Sequence, residues 1–252
     1  MAPLADILAG FLLVLARTTA LVLSAPFFGQ GTGFVGHRLA LIFFLAFLLY
    51  LVAGTPVDAP PIELGLMTLR EVLLGIFLGF LLQVVLTAVR VAGELIGQEM
   101  GFLVARQVDP TNGVPSTLLT NLYENLFVLV LLELDGHHWV LRSLERSFAF
   151  APPGHLALSP RIAPTAVAMF GEMFRAGLVF AAPVMVLLLL VSLVIGLLAR
   201  AVPGLNVVEV GFTLRVLVAL GALFLFAPLL DPAMRGLHQE LLRWLERGLA
   251  AI

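Results

Sequence analysis

The sequence predicts an all-α, integral membrane helical protein with about six apolar helices, several of them broken or re-entrant hairpins. Three observations carry this. Of 252 residues, 61% are hydrophobic and 12% charged, about half the charged share of an ordinary soluble domain. Six stretches approach the roughly 20 apolar residues that a bilayer core requires: 4–28, 39–57, 64–89, 118–134, 176–199 and 212–230. The arginines, finally, are placed in a way that a simple six-helix bundle does not satisfy. The same composition excludes disorder, and a net charge of −2 leaves no basic surface for nucleic acid. There is no cysteine, hence no disulfide, thiol catalysis or thiolate metal site. All 14 basic residues are Arg, which removes lysine Schiff bases and P-loop lysines.

The first stretch lacks a basic n-region and continues past any plausible cleavage point, so it reads as a membrane helix and not a cleaved signal. Gly29–Gly36 is a glycine-rich link suited to a sharp hairpin. Leu39–Val57 carries no charge, and Thr55–Pro61 is a stiff turn with three prolines. In 64–89, Arg70 and Glu71 are adjacent and the uncharged part begins at Val72. Gly75 and Gly79, then Gly93, Gly97 and Gly101, recur every four residues, a stripe that lets another helix approach at backbone distance. Arg90, Glu94 and Glu99 share this segment; facing lipid they would be expensive, so they should face other subunits or a wet lumen.

Residues 104–116 form a polar irregular connection containing Arg106, Gln107, Asp109, Pro110, Thr111, Asn112, Gly113 and Pro115. It is either an exposed link or a loop that lines or plugs a pore, because irregular backbone at membrane depth survives only beside protein or water. The stretch 118–134 is weak, with Glu124 inside it at about +2.5–3.5 kcal/mol on the insertion scale. An amphipathic helix is expected near 137–149, stopped by Ala151-Pro152-Pro153-Gly154. Ala176–Ala199 and Phe212–Leu230 complete the apolar set. A separate amphipathic tail is expected at 233–249, with Leu237, Leu241, Trp244 and Leu245 opposite Arg235, Arg243 and Arg247.

Six spans with an outer N-terminus would leave four arginines inside (38, 90, 106, 200) and seven outside (142, 146, 161, 175, 235, 243, 247), against the positive-inside rule. If 118–134 does not span, the count becomes ten to one. Either that segment is re-entrant against protein, or the chain is not a conventional bundle. Both readings need partners to cover the polar residues.

Catalytic patterns are sparse. Asp135-Gly136-His137-His138 suggests a metal site, but adjacent helical histidines point about 100° apart and cannot share one ion without a turn. No H-x-x-x-H or H-E-x-x-H accompanies them, so Asp135 is expected as a helix N-cap. No metal site and no Ser-His-acid set is expected.

Several motifs in order define a resemblance: Arg17…Ser24-Ala25-Pro26-Phe27-Phe28-Gly29; Ala92-Gly93-Glu94-Leu95-Ile96-Gly97; Asp109-Pro110-Thr111; Leu134-Asp135-Gly136-His137-His138 with Ser147-Phe148; and Gly196-Leu197-Leu198-Ala199-Arg200-Ala201-Val202-Pro203-Gly204-Leu205-Asn206-Val207. Together they resemble the FliR family of flagellar biosynthesis proteins, components of type III secretion export apparatus, nearly end to end. Virulence injectisomes have a related component; the Asp-Gly-His-His helix and the Ala-Arg-x-x-Pro-x-x-Asn stretch favour the flagellar branch.

The resemblance implies a single export-gate domain over 1–252, FliP-like through 175 and FliQ-like from 176. It implies assembly with FliP- and FliQ-type subunits and with FlhB- and FlhA-type proteins, in the bacterial inner membrane at the flagellar basal body. The substrates would be unfolded flagellar subunits, with no cofactor and no covalent chemistry, and lipid would cover only part of the surface. Residues 104–116 match the position of the loop that plugs the closed pore in that family. Arg70, Glu71, Arg90, Glu94, Glu99, Glu124, Arg200 and Asn206 are the polar residues expected to be buried or to meet other subunits. The rival reading is a secondary transporter or channel with an Arg90/Glu94/Glu99/Glu124 relay, although no inverted repeat is visible. A membrane enzyme built on His137 or His138 comes third.

Overall fold

In a computed structural model, residues 3–25, 35–101, 118–155, 159–202, 204 and 206–251 are described. Among them are helices α1 (Leu4–Ser24), α2 (Val35–Ala53), α3 (Pro61–Glu99), α4 (Leu118–Glu133), α5 (Gly136–Phe150), α6 (Ile162–Ala201) and α7 (Val207–Ala251), and no strand. Each apolar stretch anticipated from sequence falls on one of these helices. Five helices are long and apolar enough to cross a membrane: α1, α2, α3, α6 and α7. The 16 residues of α4 fall short. The glycine-rich link at 29–36 and the loop at 104–116 lie mostly or wholly outside the described residues.

Helix boundaries follow local chemistry. α1 starts after Pro3, which is extended (φ −62°, ψ 149°), and carries Asp6 in its first turn, where a negative charge complements the helix dipole. α3 is one helix of 39 residues, so the 64–89 stretch and the glycine-bearing segment after it are continuous. Its end corrects the expected three-glycine stripe. Gly101 lies beyond the last helical residue at φ +90°, a conformation that glycine adopts without strain, and only Gly93 and Gly97 belong to the helix. The tail at 233–249 is helical and continuous with the apolar stretch before it. Residues 233–249 are the C-terminal part of α7, which passes through both Pro228 and Pro232. α6 passes through Pro183 in the same way. At 1.5 Å per residue, α3, α6 and α7 are each about 60–70 Å long, twice the ~30 Å hydrocarbon core.

The contacts divide the chain into two units. The first comprises Met1–Val85, Leu134–Gly171 and His238–Ile252. Here α1 lies against the N-terminal part of α3 along Gly75 and Gly79. A methyl on Gly75 would strike the Arg17 carbonyl and come within 2.7 Å of Ala20 Cβ, and one on Gly79 would strike Ser24. Phe11 meets Phe43 and Tyr50 edge-on at 5.8 Å, joining α1 to α2. The C-terminal turns of α7 reach α3 at Gly248, where a methyl would meet Phe77 and Leu81. Leu13, Leu74, Leu78, Leu81 and Leu82 fill the interior.

The second unit comprises Leu86–Glu133 and Glu172–Leu237. Gly93 of α3 faces the Thr120 backbone of α4 so closely that a methyl on Gly93 would sit only 2.6 Å from Thr120 Cα. Gly177 of α6 meets the Ala88 carbonyl in the same manner, and Tyr123 packs edge-on to Phe180 at 5.5 Å. Burial is uneven across the spans. Two thirds (67%) of the most apolar window of α3 is covered by the chain itself, against 17% for α2, 22% for α6 and 17% for α7. α3 is thus the most covered of the five spans, and α2, α6 and α7 leave most of their apolar windows exposed.

Candidate functional site

Within the first unit, α1, α3 and the end of α5 converge on a buried charge cluster. Arg17 lies in the middle of the apolar helix α1 and has no solvent exposure. Its Nε donates to Glu71 Oε2 at 2.6 Å, and its Nη2 binds the same oxygen. Nη1 donates to Ser147 Oγ at 3.1 Å, Nη2 donates to the Ala151 carbonyl at 2.7 Å, and the guanidinium lies 4.2 Å from the Phe148 ring centre. Because Arg17 loads one oxygen of Glu71, the other is left to accept from Arg70 Nη1 at 3.1 Å. Arg70 Nη1 also reaches the Pro152 carbonyl at 3.5 Å.

A single carboxylate therefore serves two arginines, with backbone carbonyls taking further donors. This is how buried guanidiniums are tolerated at all. Gly75, one turn after Glu71, allows the approach by bringing the α1 backbone at Arg17 against α3. What these contacts do is cohesive: they tie α1, α3 and the end of α5 together.

In the second unit, α3 and α4 carry a looser set. Arg90 Nε donates to Glu124 Oε1, and Thr120 Oγ1 donates to Glu94 Oε2 at 3.2 Å. The Arg90 side chain is 42% exposed and that of Glu124 21%. Glu99 is half-buried near the end of α3.

Other anticipated positions fall elsewhere. Gly97 is buried on α3. Arg200, in the last turn of α6, is exposed, and so is Asn206, so the chain itself buries neither of them. Asn206 instead caps α7: its Oδ1 accepts from the Glu209 N–H at 3.4 Å while its Nδ2 donates to Glu209 Oε2 at 3.1 Å. Asp135 precedes α5, but the expected cap bond is not made. Its backbone is left-handed (φ 56°, ψ 29°), which turns the carboxylate away from the helix amides and toward His138 Nδ1, 3.2 Å away. Arg106, Gln107, Asp109, Pro110, Thr111, Asn112, Gly113 and Pro115 lie outside the described residues.

Two residues that organise the buried cluster, Arg17 and Ser147, were not among the expected site residues, nor were the contact points Thr120 and Gly177. Only Arg17 had a signal in sequence: an arginine in the middle of an apolar segment demands a partner.

Fold and clusters together define an all-helical membrane protein whose ionisable residues hold helices to one another. The sequence profile of the family described as "Bacterial export proteins, family 1" matches residues 8–241. The chain is 33% identical over 226 residues to the flagellar biosynthetic protein FliR of Bacillus subtilis (strain 168), covering 85% of this chain and 84% of that protein. It is 32% identical over 230 residues to FliR of Pectobacterium carotovorum subsp. carotovorum, covering 89% and 86%. With FliR of Escherichia coli (strain K12) identity is 30% over 230 residues, covering 90% and 87%. The chain belongs to the FliR family of bacterial export proteins. These names designate export and flagellar biosynthesis and specify no reaction.

Proposed function

We propose that the chain is a subunit of the export gate of the flagellar type III secretion system. With FliP- and FliQ-type subunits it forms the channel through which unfolded flagellar proteins leave the cell, in the inner membrane at the flagellar basal body, with FlhB- and FlhA-type proteins nearby. One observation carries the reading beyond family membership: the outward apolar surface of α6 and α7. Only 22% and 17% of their most apolar windows are covered by the chain. Exposed apolar side chains continue along α6 from Val167 to Leu198, about 47 Å, so a ~30 Å lipid core covers only part of that surface and protein is needed for the remainder. On this reading residues 1–175 occupy a FliP-like position and 176–252 a FliQ-like one. The half-exposed Arg90–Glu124 pair, Glu94, Glu99, Arg200 and Asn206 meet other subunits, and the 104–116 loop obstructs the resting channel.

Co-purification tests the assembly: a stable complex with two other small membrane proteins is expected, and a lone active monomer would overturn it. Deleting 107–114 tests the plug. Ion leak across the membrane should rise in cells that carry the assembled complex, and an unchanged leak with the complex intact would sink that assignment.

A further inference from the structure

The corner between α4 and α5 holds a cluster with no part in the proposed gate. One ligand-capable atom from each of Asp135, His137 and His138 lies within 4.8 Å of the others. Adjacent histidines on a helix leave the backbone about 100° apart, and His137 and His138 both lie in the first turn of α5, after Gly136; here it is the side chains that turn toward one another. The two imidazoles fold together with ring centres 4.1 Å apart, and the Asp135 carboxylate swings to the same side, 3.2 Å from His138 Nδ1.

We propose that Asp135, His137 and His138 form a three-ligand site for one borderline divalent transition ion, of which zinc is the representative. Two imidazoles and one carboxylate suit zinc and its neighbours. Calcium would need six to eight oxygens and magnesium near-octahedral oxygen, which this corner does not offer. Bonds of about 2.0–2.2 Å in a tetrahedron put ligand atoms roughly 3.3 Å apart. The Asp135–His138 separation of 3.2 Å already matches, and no other ligand separation exceeds 4.8 Å, within reach of a side-chain adjustment of His137.

A second observation points the same way. His137 Nδ1 is shielded from solvent yet has no hydrogen-bond partner, an orphaned polar atom of the kind that an absent ion accounts for. The positive end of the α5 dipole opposes a cation here, and the adjacent Asp135 charge offsets it. With three protein ligands the fourth position stays open to water or to a group from another subunit.

The test is a cobalt(II) titration of the full-length chain, purified in detergent without a histidine tag and stripped with chelator. The expected result is one cobalt per chain with the visible absorption of a tetrahedral site, abolished by one equivalent of zinc. Asp135→Asn and His138→Gln should each weaken binding at least tenfold, and His37→Gln, at an exposed histidine in α2, should leave it unchanged. If a variant misfolds, acylation of histidines in the unaltered chain decides instead: zinc should shield His137 and His138 and leave His37 reactive. No tetrahedral spectrum, binding indifferent to both site variants, or no zinc protection would each overturn the proposal.

Discussion

In the unit built on α1, the Arg17 and Glu71 side chains have no solvent exposure; in the unit built on the C-terminal part of α3, Arg90 keeps 42% and Glu124 21%. The residue types are the same and both pairs bridge α3 to another helix. Their completeness differs. Arg17 satisfies its donors within the chain, on a carboxylate, a hydroxyl and a carbonyl, with an aromatic ring at its face. The Arg90 pair leaves a share of both groups uncovered. The first cluster therefore belongs to the folding of this chain alone. On the proposed function, the second is finished only when another subunit covers it.

The strongest way to break this comparison is to remove the shared carboxylate. Glu71→Gln removes the carboxylate that Arg17 and Arg70 share and should cost about 3–5 kcal/mol, seen as a large drop in melting temperature in detergent and in the amount held in the membrane. Combining it with Arg17→Met should recover part of the loss, the share that the fully buried Arg17 accounts for. A Glu71→Gln chain that melts like the parent would show that the cluster is not holding α1 to α3.

Next in size come the glycines. Gly75→Val and Gly93→Val force a side chain into the backbone of α1 and α4 respectively, and each should cost roughly 1–3 kcal/mol by the same thermal measurement. Equal losses would show that the units differ in how their charges are covered and share backbone-distance packing. The smallest effect on the isolated chain belongs to Arg90→Gln, at most about 1 kcal/mol for a half-exposed pair. The same change should sharply reduce recovery of FliP- and FliQ-type partners in a co-purification. Undiminished recovery would mean that this pair does not meet a partner.

Much of the fold was legible in the sequence because membrane helices announce themselves by composition: every apolar stretch became a helix. The ends were harder. The tail at 233–249 read as its own element because its amphipathic pattern follows the apolar stretch 212–230, with Pro228 and Pro232 near the junction. In long apolar helices neighbouring groups can compensate for the amide that proline lacks, and α7 continues through both. The candidate site was only half legible. Arg70 and Glu71 stood out because they are adjacent in an apolar run. That the same Glu71 also holds Arg17, 54 residues earlier, and that Arg17 reaches Ser147, 130 residues later, depends on tertiary contacts with no local pattern. The convergence at Asp135, His137 and His138 stayed hidden for a different reason: backbone direction sends adjacent histidines apart, and the side-chain rotations that bring these two rings together leave no mark in sequence.

The reach of Arg17 has a consequence for how the chain is made. Its partners emerge from the ribosome long after it does: Glu71 follows by 54 residues and Ala151 by 134. At about 5–20 residues per second, the wait for the last of them is roughly 7–27 s. Throughout that interval a full positive charge sits in the middle of the first apolar helix with its final acceptors not yet synthesised. α1 has to linger at the interface or beside the insertion machinery until later helices arrive, so a segment made well before its partners is among the last to settle into place.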